Sequence, residues 1–111
     1  MDTLERDRDL IEKILTEYAA LAYSFGEIRR EVVFDRVHDH YLLMIEGWEG
    51  WKRVHGVIVH VDIIDGKFWI QRDGTEDGIA TELMAAGVPK EQIVLAFRPP
   101  SVRPHTEFAV A

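Results

Sequence analysis

The run from Asp62 to Phe97, DIIDGKFWIQRDGTEDGIATELMAAGVPKEQIVLAF, constrains the fold more than any other part of the chain. Asp65-Gly66 stands between the apolar segments ending at Ile64 and beginning at Lys67. That dipeptide is a strong hairpin signal, because a type I′ turn needs positive φ at both central positions. The spacing predicts a strand over 52–64, a tight turn, and a strand over 67–72. Asp73-Gly74-Thr75 breaks the sheet, and Thr75 is expected to cap a helix over about 76–86. Gly87 falls where a left-handed helix terminus is expected, and Pro89 starts a short turn over PKEQI. Ile93 to Phe97 is a short strand or an extended segment crossing the core. Pro99-Pro100 stops regular structure, leaving an extended tail.

Upstream, Leu4, Ile11, Ile14, Leu15, Tyr18 and Ala22 recur at helical spacing and predict an amphipathic helix over 4–23. Asp2 or Thr3 is its expected cap, and Ser24-Phe25-Gly26 its end. Residues 28–35 alternate as a strand, and Val37-His38-Asp39 reads as a turn. The next strand, 40–47, is apolar on both faces at its centre, so it is expected to be central. Trp48-Glu49-Gly50-Trp51 reads as a turn carrying two large rings. Short turns between successive strands imply an antiparallel meander. The expectation is therefore one α+β domain over 1–111. It has an N-terminal helix, a four-stranded antiparallel sheet, one or two C-terminal helices, a short final strand and an extended tail.

Composition removes several function classes. The chain has no cysteine, so disulfides, thiolate catalysis and zinc–thiolate sites are excluded. The start, MDTLERDRDLIEK, is charged where a signal peptide would be apolar, and no apolar run approaches the roughly 18 residues of a membrane span. A cytoplasmic location is the expectation. The formal net charge of −7 argues against a protein that grips DNA phosphates unaided. Direct DNA binding would need Arg29, Arg30, Arg36, Arg53, Arg72, Arg98 and Arg103 to gather on one edge.

No catalytic set assembles from the sequence. Strict alternation puts His60 and Asp62 on one face of their strand and His55 on the other. His38 and His40 are also two apart and can lie opposite that strand. A His/His/Asp cluster is able to hold Zn or Mn. The spacing matches no ligand motif, however, and histidines on strands serve commonly as polar surface. A metal-dependent enzyme using His38, His40, His60 and Asp62 stands as an alternative; the expectation is no metal, no cofactor and no enzyme activity. Asp73, Glu76 and Asp77 read as helix-start acids, and Gly74 and Gly78 as turn residues rather than a phosphate cradle. Trp69 reads as core. Trp48, Trp51, Arg98, Arg103, His105 and Phe108 remain as candidate partner contacts, since Trp and Arg are enriched at interface hot spots.

The phrases DGTE-x-GIA (73–80) and GVPKE-x-IVLAF (87–97) carry a resemblance. It extends through FDRVHDHYLLMIEGW (34–48), all of 55–97, RPHTEFAV (103–110) and LTEYA (15–19). The chain resembles the XisI family, the fdxN element excision controlling factor, over essentially its whole length. The resemblance implies an accessory role in site-specific excision of a DNA element, beside a XisH-like protein and a site-specific recombinase. It brings no catalytic residues with it. An acidic, antitoxin-like inhibitor of a nuclease-like partner is the alternative of the same kind. A homo-oligomer, most simply a dimer, is expected through a sheet edge or the tryptophan turn.

Overall fold

The computed structural model describes residues 3–21 and 27–111. Helix α1 spans Thr3–Ala19. Strands β1 (Glu27–Asp35), β2 (His40–Glu49), β3 (Lys52–Ile64) and β4 (Lys67–Asp73) follow. Then come α2 (Ile79–Ala85), a 3₁₀ turn at Lys90–Gln92, β5 (Ile93–Leu95) and a second 3₁₀ turn at Arg103–His105.

The sheet has five strands in the order β1-β2-β3-β4-β5, which corrects the expected four. The first four form the antiparallel meander. β5 joins β4 in parallel, Phe68 facing Ile93 and Ile70 facing Leu95. A parallel neighbour cannot be reached by a hairpin, and α2 supplies the crossover. Beyond β5, the Ala109 N–H donates to the Ile93 carbonyl at 2.9 Å, so the tail lies along that edge. β1 is the other edge.

Both helices pack on one face of the sheet. Ile11, Ile14 and Leu15 of α1 and Ile79 and Leu83 of α2 are buried against Tyr41, Leu43, Val59, Val61, Phe68 and Ile70. The helical stripe is as expected, but α1 stops at Ala19 rather than continuing to 23. Asp2, Ala22 and Ser24-Phe25-Gly26 lie outside the described residues. Thr3 lies within the helix rather than before it.

The hairpin turn is as expected, with Asp65 at φ 50° and Gly66 at φ 77°. The Trp48–Trp51 turn is shorter than expected. Trp48 and Glu49 complete β2, and Gly50-Trp51 alone makes the connection. α2 starts later than residue 76, and Thr75 is not its cap. Asp73 takes that role from six residues away: its Oδ2 accepts the Ile79 N–H at 2.7 Å. Its Oδ1 accepts the Thr75 N–H at 2.9 Å and the Thr75 hydroxyl at 2.6 Å. The Thr75 hydroxyl oxygen in turn accepts the Gly78 N–H at 3.1 Å. The end of α2 forms a closed motif, Val88 N–H to the Leu83 carbonyl and Gly87 N–H to the Met84 carbonyl, both 3.0 Å.

Two bulges change which way side chains point. Leu43 pairs with Val59 and Met44 with Val57, so Ile58 is the extra residue on β3. Similarly, His60 pairs with Arg72 and Val61 with Ile70, leaving Gln71 extra on β4. A bulge inserts one residue into a period of two and reverses the alternation beyond it. Val57 was expected beside Val59 and Val61; it lies on the opposite face. His55 was expected to face away from His60 and Asp62; the register places it on their face.

Candidate functional site

The face of the sheet away from the helices is the candidate site, and the register lays it out in rows. Asp35, His40, Asp62 and Trp69 cross the sheet at one end. Val33, Leu42 and His60 follow, then Glu31, Met44 and Val57, then Arg29, Glu46 and His55. Glu27, Trp48 and Arg53 close the other end. The face has an apolar middle between two polar ends.

At the first end two strands, β2 and β3, bring two imidazoles to one carboxylate. His40 Nδ1 lies 2.6 Å and His60 Nε2 lies 2.7 Å from the same Asp62 oxygen, Oδ1. The Gln71 amide donates to the other oxygen, Oδ2, at 3.3 Å. Asp62 is only 8% exposed, and a carboxylate buried that far needs such partners. The hydrogen bond to Asp62 raises the pKa of His40 above its ordinary value, since it favours the imidazolium. His38 is not part of this set. Its Nδ1 lies 2.8 Å from Asp35 Oδ2, while its ring stacks with that of His40 at 6.3 Å. Asp35 is held below the usual carboxylate range by His38 and by the backbone N–H groups of His38 and Val37.

In the middle, Leu42, Met44 and Val57 are half-buried, and Val33 is 44% exposed. Nothing in the sequence analysis picked these four out as surface. The signal was present in Leu42-Leu43-Met44-Ile45, apolar on both faces: Leu43 fills the core, leaving Leu42 and Met44 outside.

The far end holds the tryptophans. Trp48 is 45% exposed, and the Arg53 guanidinium sits 5.1 Å from its ring centroid. Trp51, at the tip of the turn, is 94% exposed. Arg29 and Glu46 form an ion pair between them and the apolar middle.

The remaining contact candidates divide. Arg98 and His105 are exposed. Arg103 is turned inward: it donates to the Arg98 and Ala96 carbonyls, and its guanidinium lies 5.6 Å from the Trp69 ring. Phe108 packs against the core. The arginines do not gather on one edge. Arg36 is held by Glu5, Asp9 and Glu12 of α1, Arg30 donates to the Tyr18 carbonyl on the helix side, and Arg29 and Arg53 lie on the outer face. Among the described residues no helix is long and apolar enough to cross a membrane.

Comparison with known proteins gives a consistent answer. The family described as XisI protein matches residues 1–110. A XisI-like protein from Anabaena variabilis ATCC 29413 is 37% identical, with a TM-score of 0.90 over 97% of this chain and 99% of that one. The fdxN element excision controlling factor XisI from the same organism is 38% identical, with a TM-score of 0.84 over 99% of this chain and 100% of that one. No curated protein matches the chain.

Proposed function

The chain belongs to the XisI family, and on that premise we propose that it is a non-enzymatic controlling factor for excision of a DNA element. It acts by contact with another protein rather than by holding DNA. The observation that carries this reading is the outer sheet face, with Val33, Leu42, Met44 and Val57 partly open between the His40–Asp62 end and the exposed Trp48 and Trp51. An apolar centre bordered by aromatic and charged groups is the anatomy of a protein contact. The dispersal of the arginines and the net charge of −7 weigh against a phosphate-gripping surface. The same charge favours a basic partner.

The proposed partner is a XisH-like protein, with a site-specific recombinase as the further component. Co-expression and size-exclusion chromatography test it. We expect one co-eluting complex, weakened at least about tenfold by Met44→Glu or by Trp48→Ala with Trp51→Ala, the scale of losing a hot-spot residue. Two separate peaks at micromolar concentration overturn it. A second copy of this chain is the other occupant of the face, and sedimentation of the protein alone, with and without Met44→Glu, distinguishes the two.

A further inference from the structure

We propose that His40, His60 and Asp62 form a binding site for one divalent first-row transition-metal ion, with Zn²⁺ as its best-suited probe. The inference is independent of the partner reading above. His40 comes from β2, and His60 and Asp62 from β3, two residues apart on one face. The register sets His40 beside Asp62, and both ring nitrogens point at the same Oδ1. One ligand atom from each of the three residues lies within 4.8 Å of the others.

Several features suit a metal ion here. Two nitrogens and one carboxylate oxygen are the donor set of a catalytic-type site, three protein ligands with a position left open. Nitrogen and oxygen donors together favour the first-row divalent ions over Ca²⁺ or Mg²⁺, which prefer oxygen alone. Tetrahedral bonds of about 2 Å would set the ligand atoms roughly 3.3 Å apart. The 2.6 and 2.7 Å contacts therefore need to open by less than about 1 Å. The rings have room for it, since the His40 and His60 side chains are 50% and 35% exposed. Gln71, two residues from Trp69 and on the same face, holds Asp62 Oδ2 and leaves Oδ1 for the ion. An outer group of that kind orients a ligating carboxylate. The exposed histidines leave the fourth position facing solvent, where water or a partner's side chain would complete the set.

Binding requires the lone pairs of His40 Nδ1 and His60 Nε2, so each ring carries its remaining proton on the other nitrogen, and any proton on an imidazolium is released to solvent. Asp62 binds as the carboxylate. Apart from these proton shifts, only the metal–ligand bonds are made.

The test uses the full chain after chelator treatment, titrated calorimetrically with ZnCl₂ and followed with CoCl₂ by visible absorption. We expect one ion per chain with a Kd of about 10 μM or tighter, and cobalt d–d bands of a low-coordinate nitrogen–oxygen site. His40→Gln and His60→Gln retain a donor toward Asp62, so the fold is kept, as near-ultraviolet circular dichroism would show. Each should weaken binding more than about tenfold, beyond the loss of an outer-shell partner, and the double variant should abolish it. His55→Gln, on the same face beside Glu46, should change nothing. The proposal is overturned by no saturable uptake at about 100 μM metal, by uptake that survives in the double variant, or by uptake lost in His55→Gln. Wild-type histidine ¹⁵N shifts that do not move on adding Zn²⁺ overturn it without any variant.

Discussion

Arg8 and Asp39 join the first helix to the turn between β1 and β2. Arg8 Nε donates to Asp39 Oδ1 at 2.8 Å and its Nη2 to Oδ2 at 3.2 Å, across 31 residues of sequence. The Tyr41 hydroxyl donates to the same Oδ1 at 2.8 Å. Asp39 itself sits at φ 57°, and its carbonyl accepts the Ile63 N–H at 3.1 Å. One residue thus fixes a helix, a turn and a strand, and the Arg8 hydrogen bond holds its carboxyl below the usual range.

The substitution Asp39→Ala removes both salt-bridging bonds, strands a hydroxyl on the fully buried Tyr41, and puts a Cβ-bearing residue without a local hydrogen bond in the left-handed region. These losses sum to about 3–4 kcal/mol. Asp39→Asn keeps an acceptor and tolerates the backbone, so about 1–2 kcal/mol is expected. Urea midpoints at unchanged slope measure both. Equal costs for the two variants would show that the charge, not the backbone or the tyrosine, carries the whole effect.

At Gly47, which pairs with Ile28, β2 comes too near the β1 backbone for a side chain. At its φ of 153°, an added Cβ would lie 2.0 Å from the Glu27 carbonyl oxygen and 2.6 Å from the Ile28 Cα. Both obstacles are backbone, so no rotamer change relieves them. Gly47→Ala should therefore cost about 3 kcal/mol or more, or free the start of β1 from the sheet. Hydrogen exchange tells these apart: amides over 27–31 should lose protection before the rest of the sheet does. Retained protection with unchanged stability would count against the tight approach.

The strands were legible because alternation and turn chemistry are local. Asp65-Gly66 names its own turn, and the apolar stripe of α1 names its buried face. What the sequence concealed depends on pairing. Ile58 lies in a run of valine and isoleucine, and Gly56 two residues before it is the one local hint of a bulge, which does not say which residue is extra or that the faces exchange there. That single extra residue accounts for the misplacement of Val57 and His55 alike. On β4 the bulge in the same way turns Arg72 onto the face of His60, against its alternation with Ile70. β5 is three residues long and gains its place only by pairing with β4 after the α2 crossover, which no periodicity reports.

The candidate site was legible in its ingredients and not in its assembly. His60-x-Asp62 share a face by spacing alone. His40 joins them only through the register that sets it beside Asp62, and the same register leaves His38 with Asp35. Among the contact candidates, Arg103 and Phe108 differ from Trp48 and Trp51 because the tail folds back along β5 and over Trp69. A tail without regular structure carries no pattern that would say so.

Asp7 gives the pH dependence that the helix alone would not predict. It sits on α1 at 2% exposure, bordering a cavity shared with Ala86, Gly87 and Val88 at the carbonyl end of α2. Burial raises its pKa above the ordinary 3.8, with Arg6 partly offsetting the effect. A raised carboxyl pKa means the folded state holds the proton more tightly than the unfolded state. The ionised group therefore costs stability above the folded pKa. That cost shrinks as pH falls through the folded value, and it is gone below the unfolded one. Asp7→Asn should stabilise the protein near neutral pH by on the order of 1 kcal/mol, the scale of burying an incompletely compensated polar group. The difference between the variant and the wild type should close below about pH 4. Paired thermal melts across that range isolate Asp7, because every other carboxyl titrates equally in both proteins. A variant less stable than wild type at neutral pH would mean that the carboxylate is held by favourable contacts that outweigh its burial.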